Sequence, residues 1–466
     1  IAGQDYTTTA GNVPFGAGEQ IKIIQVPVHS DTFTTEGDET FLLVLSNPVN
    51  TTITNGTATG TILSSGQPGT ILISELRTSG PSGAGDDFVE IYNNSDSPHT
   101  VNDPSGGYGL FKMGADCLAN PILIGVIPNG TVIPARGNYL FVGSSYSLSD
   151  YGGTGAASGD QVMTQDIEND RNVAIFSTTS LGNLSSLTRL DAVGFGGNIY
   201  GVCPLLSEGT TLTPLTGSTL EYSYFRDECG KKGNPATFGP CPTGGFKADT
   251  NVNSDDFVFV DTAGTLTPAG QRLGAPGPQN LASPGLNSQI PTLLIDSTKG
   301  APTPPNRVRD FTPVTNGLNG TLSIRRRFVN ATGAPVTKLR FRIVDFSTLG
   351  ISPIADLRAL SSVNITVNGV ADPATCAATG TPTTAPCSIT VFGTTLETPP
   401  TQAIGGALNS SLSTGTITVP TPLAPGESIN LQFMLGVQQP GSFKFFFNIE
   451  ALPNSAGNNP LTANPN

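Results

Sequence analysis

The sequence is poor in the residues that metal centres and catalytic sites use most. It has 466 residues but only two histidines, His29 and His99, and its six cysteines form no Cys-x-x-Cys pair. This composition excludes a zinc cage built from sulfur and imidazole ligands. There is also no Gly-x-Ser-x-Gly motif, and both histidines stand in loop-like sequence, so we expect no enzyme activity.

Two further absences limit the kind of partner. No apolar run reaches 18 residues, so we expect no transmembrane segment. Basic charge is scarce in residues 1–291, which contain 11 Lys/Arg and 27 Asp/Glu, a net charge of −16. Residues 292–466 contain 11 Lys/Arg and 8 Asp/Glu, a net charge of +3. Because sequence-independent nucleic-acid binding requires a basic surface, we expect no nucleic-acid partner.

Glycine and proline are abundant, with 56 and 38 residues, and 37% of the residues are hydrophobic. Gly and Pro at this density break helices, whereas Thr and Val favour strands. The apolar fraction is high enough to form folded cores. The predicted fold class is all-β, with three consecutive β-sandwich units and long loops.

Gly/Pro-rich stretches divide the chain into predicted domains. These are residues 1–64, a linker at 65–69, residues 70–290 with a disulfide-stapled insertion at about 195–247, and residues 291–466. In the first domain, "IKIIQVPV" and "ETFLLVLSNP" alternate like strands, and "NG" at 55–56 predicts a hairpin turn. Near the end of the second, "GAPGPQNLASPG" predicts a chain-exit loop.

The third domain has the clearest strand pattern. "SINLQFMLGV" and "GSFKFFFNIEAL" place an apolar residue at every second position, which predicts two strands that face a sandwich core. "GTLSIRRRFVN" and "KLRFRIVD" predict a hairpin about the turn "ATGAP". The arginines at 325–327, with Arg340 and Arg342, form either a solvated face balanced by Asp345 or a basic surface for an acidic neighbour.

An even number of cysteines suggests disulfides. The expected pairs follow from which cysteines flank a loop, with the last pair taken by elimination from about fifteen connectivities: Cys376–Cys387, Cys229–Cys241 and Cys117–Cys203. Disulfides imply an oxidising compartment, so we expect a secreted, extracellular or cell-surface protein. The nine Asn-x-Ser/Thr sequons would be candidate glycan acceptors there.

Three segments of the first domain resemble the later half of a Calx-beta domain, the β-sandwich module of sodium–calcium exchangers and of many bacterial surface proteins. They are "QDYTTTAGNVPFGAGEQIKIIQVPV", "DTFTTEGDETFLLVLSNP" and "GTATGTIL". Exchanger-type modules bind calcium through loop acids, and calcium requires crowded oxygen ligands. By this resemblance the calcium ligands would be Asp5, Asp31, Glu36, Asp38 and Glu39. The alternative is a solvated turn whose acids prevent edge-to-edge aggregation.

Residues 70–285 resemble a lamin-tail domain, an immunoglobulin-like sandwich widespread in secreted bacterial proteins. The segments that carry this resemblance are "ILISELRTSG", "DDFVEIYNNSDSP", "VIPARGNYLFVG" and "ADTNVNSDDFVF". The family is mostly a noncatalytic module, found beside extracellular nucleases and in surface proteins.

The stretch "DTNVNSDD" (249–256) spaces side-chain oxygens like the start of an EF-hand loop, without the glycine and glutamate that complete one. The predicted calcium ligands here are Asp249, Asn251, Asn253 and Asp255. The alternative is a series of Asx turns that begins a strand.

Residues 1–64 supply only part of a Calx-beta sandwich, which would leave an apolar face open. This face consists of Ile24, Val26, Val28, Phe41, Leu43 and Leu45. Leaving it in water would cost on the order of 10 kcal/mol, so we expect a cover for it. Either residues upstream of Ile1 or strands of another molecule would supply that cover, and strands donated head to tail generate a filament.

The sequence therefore predicts an extracellular structural protein of a bacterial surface or matrix. It would self-associate with copies of itself into a filament or layer, with calcium as its candidate cofactor. One alternative is an adhesive or glycan-binding protein that contacts a surface polysaccharide through aromatic residues of the insertion: Tyr200, Tyr222, Tyr224 and Phe225. The other is the noncatalytic portion of a secreted nuclease or hydrolase.

Overall fold

The structure, a computed structural model, is almost entirely β, with 42% strand and 4% helix, which confirms the predicted fold class. It divides into two compact units: unit 1 contains Ile1–Pro68 and Asp249–Asn251, and unit 2 contains Gly69–Ala248 and Val252–Asn466. The residues that it describes are 6–16, 22, 24–27, 39–62, 69–148, 158–196, 203–215, 219–228, 247–264, 272–348, 353–397 and 402–453. Among them, no helix has the length and apolar character needed to cross a bilayer.

The described part of unit 1 contains one antiparallel sheet of two strands, β1 (Glu39–Val44) and β2 (Thr57–Ile62). Phe41 lies opposite Gly60, and a side chain at Gly60 would overlap the Phe41 ring. The Tyr6 ring packs on Phe41 with a centroid distance of 5.1 Å.

Two details of unit 1 differ from the sequence prediction. The "NG" pair at 55–56 is not a tight hairpin turn but ends the longer connection 45–56, where the Leu45 amide donates to the Gly56 carbonyl at 2.7 Å. The described residues 24–27 lie outside any strand. Pro27 has no amide to donate to a ladder, and hydrogen bonds from Thr7 and Thr9 reach the carbonyls of Pro27 and Gln25.

The second sandwich, within unit 2, is built from two sheets with strand orders β10-β9-β4-β3-β13-β14 and β12-β11-β6-β7, beside a small β5-β8 pair. Its strands are β3 (Ile71–Arg77), β4 (Phe88–Asn93), β5 (His99–Thr100), β6 (Gly107–Lys112), β7 (Ile122–Pro128), β8 (Val132–Ile133), β9 (Asn138–Val142), β10 (Gln161–Val162), β11 (Val173–Phe176), β12 (Arg189–Val193), β13 (Tyr222–Arg226) and β14 (Phe257–Asp261). Two short helical turns accompany them, a 3-10 helix (Leu181–Asn183) and α1 (Asn253–Asp256).

The predicted insertion at 195–247 is partly an integral piece of this sandwich. Strand β13 lies inside the six-stranded sheet between β3 and β14. Tyr222, Tyr224 and Phe225, expected as exposed aromatics, are buried. Tyr200 lies outside the described residues. Aromatic side chains at alternate strand positions fill a core here, because β13 has a neighbour on each edge and a sheet packed over it.

The third sandwich has a five-stranded sheet with the order β15-β27-β19-β25-β24 and a larger sheet with the order β16-β18-β26-β23-β21, in which β17 pairs with β18, β20 with β26 and β22 with β23. Its strands are β15 (Gly285–Leu286), β16 (Thr292–Leu294), β17 (Arg307–Asp310), β18 (Thr321–Val329), β19 (Lys338–Phe346), β20 (Asp356–Leu360), β21 (Ile365–Val370), β22 (Gly380–Thr381), β23 (Cys387–Gly393), β24 (Thr395–Glu397), β25 (Ser411–Ser413), β26 (Ser428–Gln439) and β27 (Phe445–Leu452). Asp372 is the N-cap of helix α2 (Pro373–Thr379), and its carboxylate accepts hydrogen bonds from two backbone amides.

The alternation in β26 and β27 predicts the core correctly, but the predicted β18–β19 hairpin is wrong. β18 pairs with β26 and β19 with β27, so β18 and β19 belong to opposite sheets. Their apolar faces meet across the sandwich, where the centroids of Phe328 and Phe341 lie 4.9 Å apart. Pairing the two strands edge to edge would have turned these faces to the same side of one sheet instead of against each other.

The predicted exit loop is instead buried. Residues 272–280 have no exposed member, and Leu273 and Ile290 pack into the core of the third sandwich. Strand β15 pairs with β27 before the predicted boundary at residue 291. The second and third sandwiches therefore form one compact unit, unit 2.

Two of the expected disulfides are present, Cys117–Cys203 and Cys376–Cys387. Both lie in unit 2, and they fit an extracellular protein. Cys229 and Cys241, the third expected pair, lie outside the described residues.

We expect Phe341→Ala to lower the free energy of unfolding of unit 2 by about 3–5 kcal/mol, the usual cost of removing a buried ring. Phe341 is fully buried against Phe328 and Phe433, both at 4.9 Å. The matched control is Phe311→Ala, because the Phe311 side chain in the same sandwich is 76% exposed; its effect should stay below about 0.5 kcal/mol. Urea unfolding followed by circular dichroism measures both, and equal effects would contradict this core.

Candidate functional site

The acids expected to bind calcium in unit 1 cannot be placed as a group. Asp5, Asp31, Glu36 and Asp38 lie outside the described residues, and Glu39 is described only as the first residue of β1. Calcium binding at this turn therefore stays a prediction.

The second predicted calcium loop is divided between the units. Asp249 and Asn251 belong to unit 1, whereas Asn253 and Asp255 lie in α1 of unit 2. The Asn253 carboxamide is engaged with the backbone: its oxygen accepts the amides of Gly194 and Glu208, at 2.8 and 3.1 Å, and its nitrogen donates to a carbonyl at 2.7 Å. These partners are distant in sequence, so the bonding of Asn253 differs from the local Asx turns of the alternative, and the calcium prediction is not tested.

A cluster of buried charges joins the second and third sandwiches inside unit 2. Glu75 and Glu90 project from the six-stranded sheet and Glu450 from the five-stranded sheet, and all three are buried. Arg340 and Arg342 donate through their Nε atoms to the two oxygens of Glu450, at 2.6 and 2.7 Å. The predicted basic ladder is therefore not a solvated face at these two arginines.

Backbone amides of the buried segment 272–280 complete the bonding of the other two carboxylates. The Gly277 amide donates to Glu75 at 2.9 Å. The Gln279 amide donates to Glu90 at 2.5 Å. The stretch that the sequence predicts as an exit loop is thus a strip of hydrogen-bond donors between two sheets.

The protonation of these carboxylates follows from their surroundings. Burial raises the pKa of Glu90 to about 7, and the nearby negative charge of Glu75 adds to the effect. Burial also raises the pKa of Glu75. For Glu450, burial opposes the charge, but Arg340 and Arg342 outweigh it and hold the pKa below its ordinary value. The cluster therefore combines a charged glutamate with one that takes up a proton near neutral pH.

The space inside this cluster is too small for a substrate. Its volume is about 20 Å³, room for roughly one water molecule. Asn448 lines it, and its side-chain oxygen has no hydrogen-bond partner among the described residues. The arrangement can hold two sheets together, and it offers no access for a reacting molecule.

The predicted self-association face lies at or near the surface of unit 1. Its half-buried members are Ile24, Val26, Phe41 and Leu43, and its exposed member is Leu45. Val28 lies outside the described residues. On the opposite face of β1, Leu42 is 63% and Val44 60% exposed. No described residue of unit 1 is buried. We call Leu42 and Val44 the hairpin surface.

The third sandwich has a larger opening, a cleft of about 480 Å³ at its edge. Its floor consists of the buried core residues Leu322, Leu357 and Val437. Arg307 and Arg309 of β17 stand on its rim. Sequence reasoning missed this cleft because it assigned no strand to "RVRD" (307–310), although this alternation is a strand-like signal.

Three of the nine sequon asparagines, Asn93, Asn330 and Asn409, are fully buried. The Asn409 nitrogen donates to Glu75 at 3.0 Å, and that of Asn330 donates to the carbonyls of Ala334 and Leu423 at 2.8 Å. A glycan cannot be attached to these nitrogens in the folded unit.

Comparison with known proteins adds a family for the N-terminal part. Residues 1–66 match a Calx-beta domain. This part of the chain is therefore similar to a Calx-beta domain, in agreement with the resemblance of the first predicted domain. No curated protein and no solved structure matches the chain significantly. The lamin-tail resemblance of residues 70–285 stays a prediction.

We expect unit 2 to lose stability as the pH rises from about 4.5 to about 7, in part through Glu90. Its pKa is higher in the folded protein, at about 7, than its ordinary value of 4.5. The folded state therefore binds this proton more tightly, and the advantage present at low pH disappears as the pH passes 7. Glu90→Gln should flatten the decline between pH 5 and 8 by about 1–3 kcal/mol.

Urea unfolding at a series of pH values measures this slope, which a uniform loss of stability would leave unchanged. Glu168→Gln, at a carboxylate that is more than half exposed, is the matched control and should keep the wild-type slope. The charged groups that influence the pKa of Glu90 are Glu75, Lys247 and Arg342. An unchanged slope in Glu90→Gln would contradict the assignment.

Proposed function

We propose that this chain is an extracellular structural protein that self-associates through its Calx-beta-type unit, with strands of a second copy completing the sandwich. The observation that carries the proposal is the hairpin surface, because Leu42 and Val44 are exposed and no described residue of unit 1 is buried. The match of residues 1–66 to the Calx-beta domain supports a sandwich that normally has two packed sheets.

The energetic reason for association is the apolar area of the hairpin. Removing Leu42 and Val44 from water contributes about 3–6 kcal/mol, at about 1.5–3 kcal/mol for each fully buried side chain. Main-chain hydrogen bonds along a strand edge add direction to this contact. When the donating and receiving surfaces differ, copies add head to tail and form an open filament.

A noncatalytic role is part of the proposal. His99 donates to or accepts from the Tyr108 hydroxyl at 3.0 Å, and burial lowers its pKa. This pairing gives His99, in β5, a structural partner in β6. The adhesive alternative relied on aromatic side chains in the insertion, and the burial of Tyr222, Tyr224 and Phe225 removes them from the surface.

We expect the double substitution Leu42→Glu/Val44→Glu to abolish self-association while unit 2 stays folded. The added charges would have to be buried in the contact, at a large cost in free energy. Analytical ultracentrifugation over a range of protein concentrations and negative-stain electron microscopy measure the outcome. The wild-type chain should form concentration-dependent assemblies, and the variant should sediment as a monomer.

The matched control is Val419→Glu, because Val419 of unit 2 is 79% exposed and lies outside any strand. It should assemble like the wild-type chain. A wild-type chain that stays monomeric at every concentration would disprove the proposal. If Leu42→Glu/Val44→Glu destabilises a monomer instead of dissolving an assembly, the cover comes from the same polypeptide.

We also propose that calcium binds the acids of unit 1, supported by four carboxylates within residues 31–39 and by the Calx-beta match. Calcium should raise the thermal midpoint of unit 1, and a chelator should reverse this. Asp31→Asn/Glu36→Gln should remove the calorimetric binding signal, whereas Glu427→Gln, at an exposed acid of unit 2, should keep it. Absence of binding heat in the wild-type chain would contradict this part of the proposal.

A further inference from the structure

The cleft at the edge of the third sandwich opens directly onto the core. Its floor residues Leu322, Leu357 and Val437 belong to the main apolar cluster of that sandwich. Its walls include Pro302, Pro304 and Pro440, together with Phe443. A volume of about 480 Å³ lies within the usual range of ligand-binding clefts, roughly 300–1,000 Å³.

The rim of this cleft is positively charged. The Arg307 guanidinium lies 5.7 Å from the centroid of the Phe443 ring, and the Arg309 guanidinium lies 4.6 Å from that of Phe311. No carboxylate lines the cleft, and the hydrogen-bond acceptors of the Arg309 guanidinium are neutral backbone carbonyls. Burial lowers the pKa of Arg309, and the charge of Asp310, at the end of β17, opposes this effect.

Strand β17 also offers an edge. It pairs with β18 on one side, and the structure describes no strand along its other side. The loop after it exposes three large apolar side chains: Phe311, Val314 and Leu318. We call the cleft, this strand edge and these three side chains the β17 surface. It combines apolar area, positive charge and a strand edge along which the structure describes no neighbouring strand, the three features that an added strand uses.

We propose that the β17 surface of one copy receives the β1–β2 hairpin of a second copy; this inference rests on the proposed function and names its receiving surface. The charges are complementary, because Glu36, Asp38 and Glu39 precede the exposed Leu42 and Val44 in sequence. In the hairpin segment, acids precede aliphatic residues in sequence. In the β17 surface, a basic rim borders an apolar floor, so charge and apolar area can both be matched.

The chain as a whole shows the same complementarity. Residues 1–291 have a net charge of −16 and residues 292–466 of +3, so the receiving sandwich is the part of the chain that does not repel an acidic hairpin. An acidic polysaccharide would also meet the arginines, but the floor of leucine, valine and proline side chains offers its hydroxyl groups no hydrogen-bond partners. The aliphatic hairpin fits this floor better.

The test uses two complementary variants of the full chain. Leu42→Glu/Val44→Glu removes the donating surface, and Arg307→Glu/Arg309→Glu removes the receiving surface. Each alone should be monomeric, with association weakened at least tenfold. An equimolar mixture should form a one-to-one heterodimer and nothing longer, because each variant keeps one intact surface.

Lys299→Glu, an exposed charge reversal in the same sandwich, is the control and should assemble like the wild-type chain. Because Arg309 also donates to the Thr321 carbonyl at 2.8 Å, Arg307→Glu alone is measured beside the double variant, with circular dichroism to verify folding. Arg307→Glu should weaken association without changing the thermal midpoint of unit 2.

The outcomes separate the two proposals. If Leu42→Glu/Val44→Glu is monomeric but Arg307→Glu/Arg309→Glu assembles normally, the receiving surface lies elsewhere, and this inference fails while the proposed function stands. A mixture without heterodimers also overturns it. If the arginine variant assembles normally but loses binding to polygalacturonate that the wild-type chain shows, the β17 surface serves a glycan, which overturns the hairpin assignment.

Discussion

Glu450 lies between two arginines where the two sandwiches of unit 2 meet, and the arrangement of the unit depends on this buried cluster. A buried ion pair adds little net stability, but any packing that leaves one member unpaired is strongly penalised. Arg340, Arg342 and Glu450 must therefore meet in one register, with segment 272–280 in place to bond Glu75. The cluster specifies how the sheets face each other more than it holds them together.

Unit 1 presents the opposite situation. Its described residues include no buried side chain, and the Phe41 ring packs against Tyr6 and lies over Gly60. A sheet of two strands is marginal in water without a further layer. The arrangement of the sheets in unit 2 is therefore specified by buried charges, whereas unit 1 exposes apolar side chains of its sheet. This contrast is the physical reason to look for the function of the chain in unit 1.

The sequence predicts the faces of strands better than their neighbours. Alternation identifies the inward residues of β26 and β27 correctly, because a strand with one face against the core has an apolar residue at every second position. Alternation does not show which strand β18 pairs with. The short connection between β18 and β19 suggested a hairpin, but the chain changes from one sheet to the other there. Gly and Pro in 274–285 indicated a loop but not its burial, since backbone amides donate to carboxylates that are distant in sequence. The β17 surface was missed for a similar reason: its floor comes from three separate strands.

The acids before β1 have two physical roles that the proposed assembly reconciles. On an isolated chain, like charges at the entrance of an exposed strand oppose pairing between identical edges, which protects against aggregation. Against the basic rim around Arg307, the same acids favour a heterologous contact, so the charge that prevents the wrong pairing directs the proposed one. Because the cover of unit 1 then comes from a second copy, folding of that unit and assembly become one equilibrium, and the stability of unit 1 rises with protein concentration.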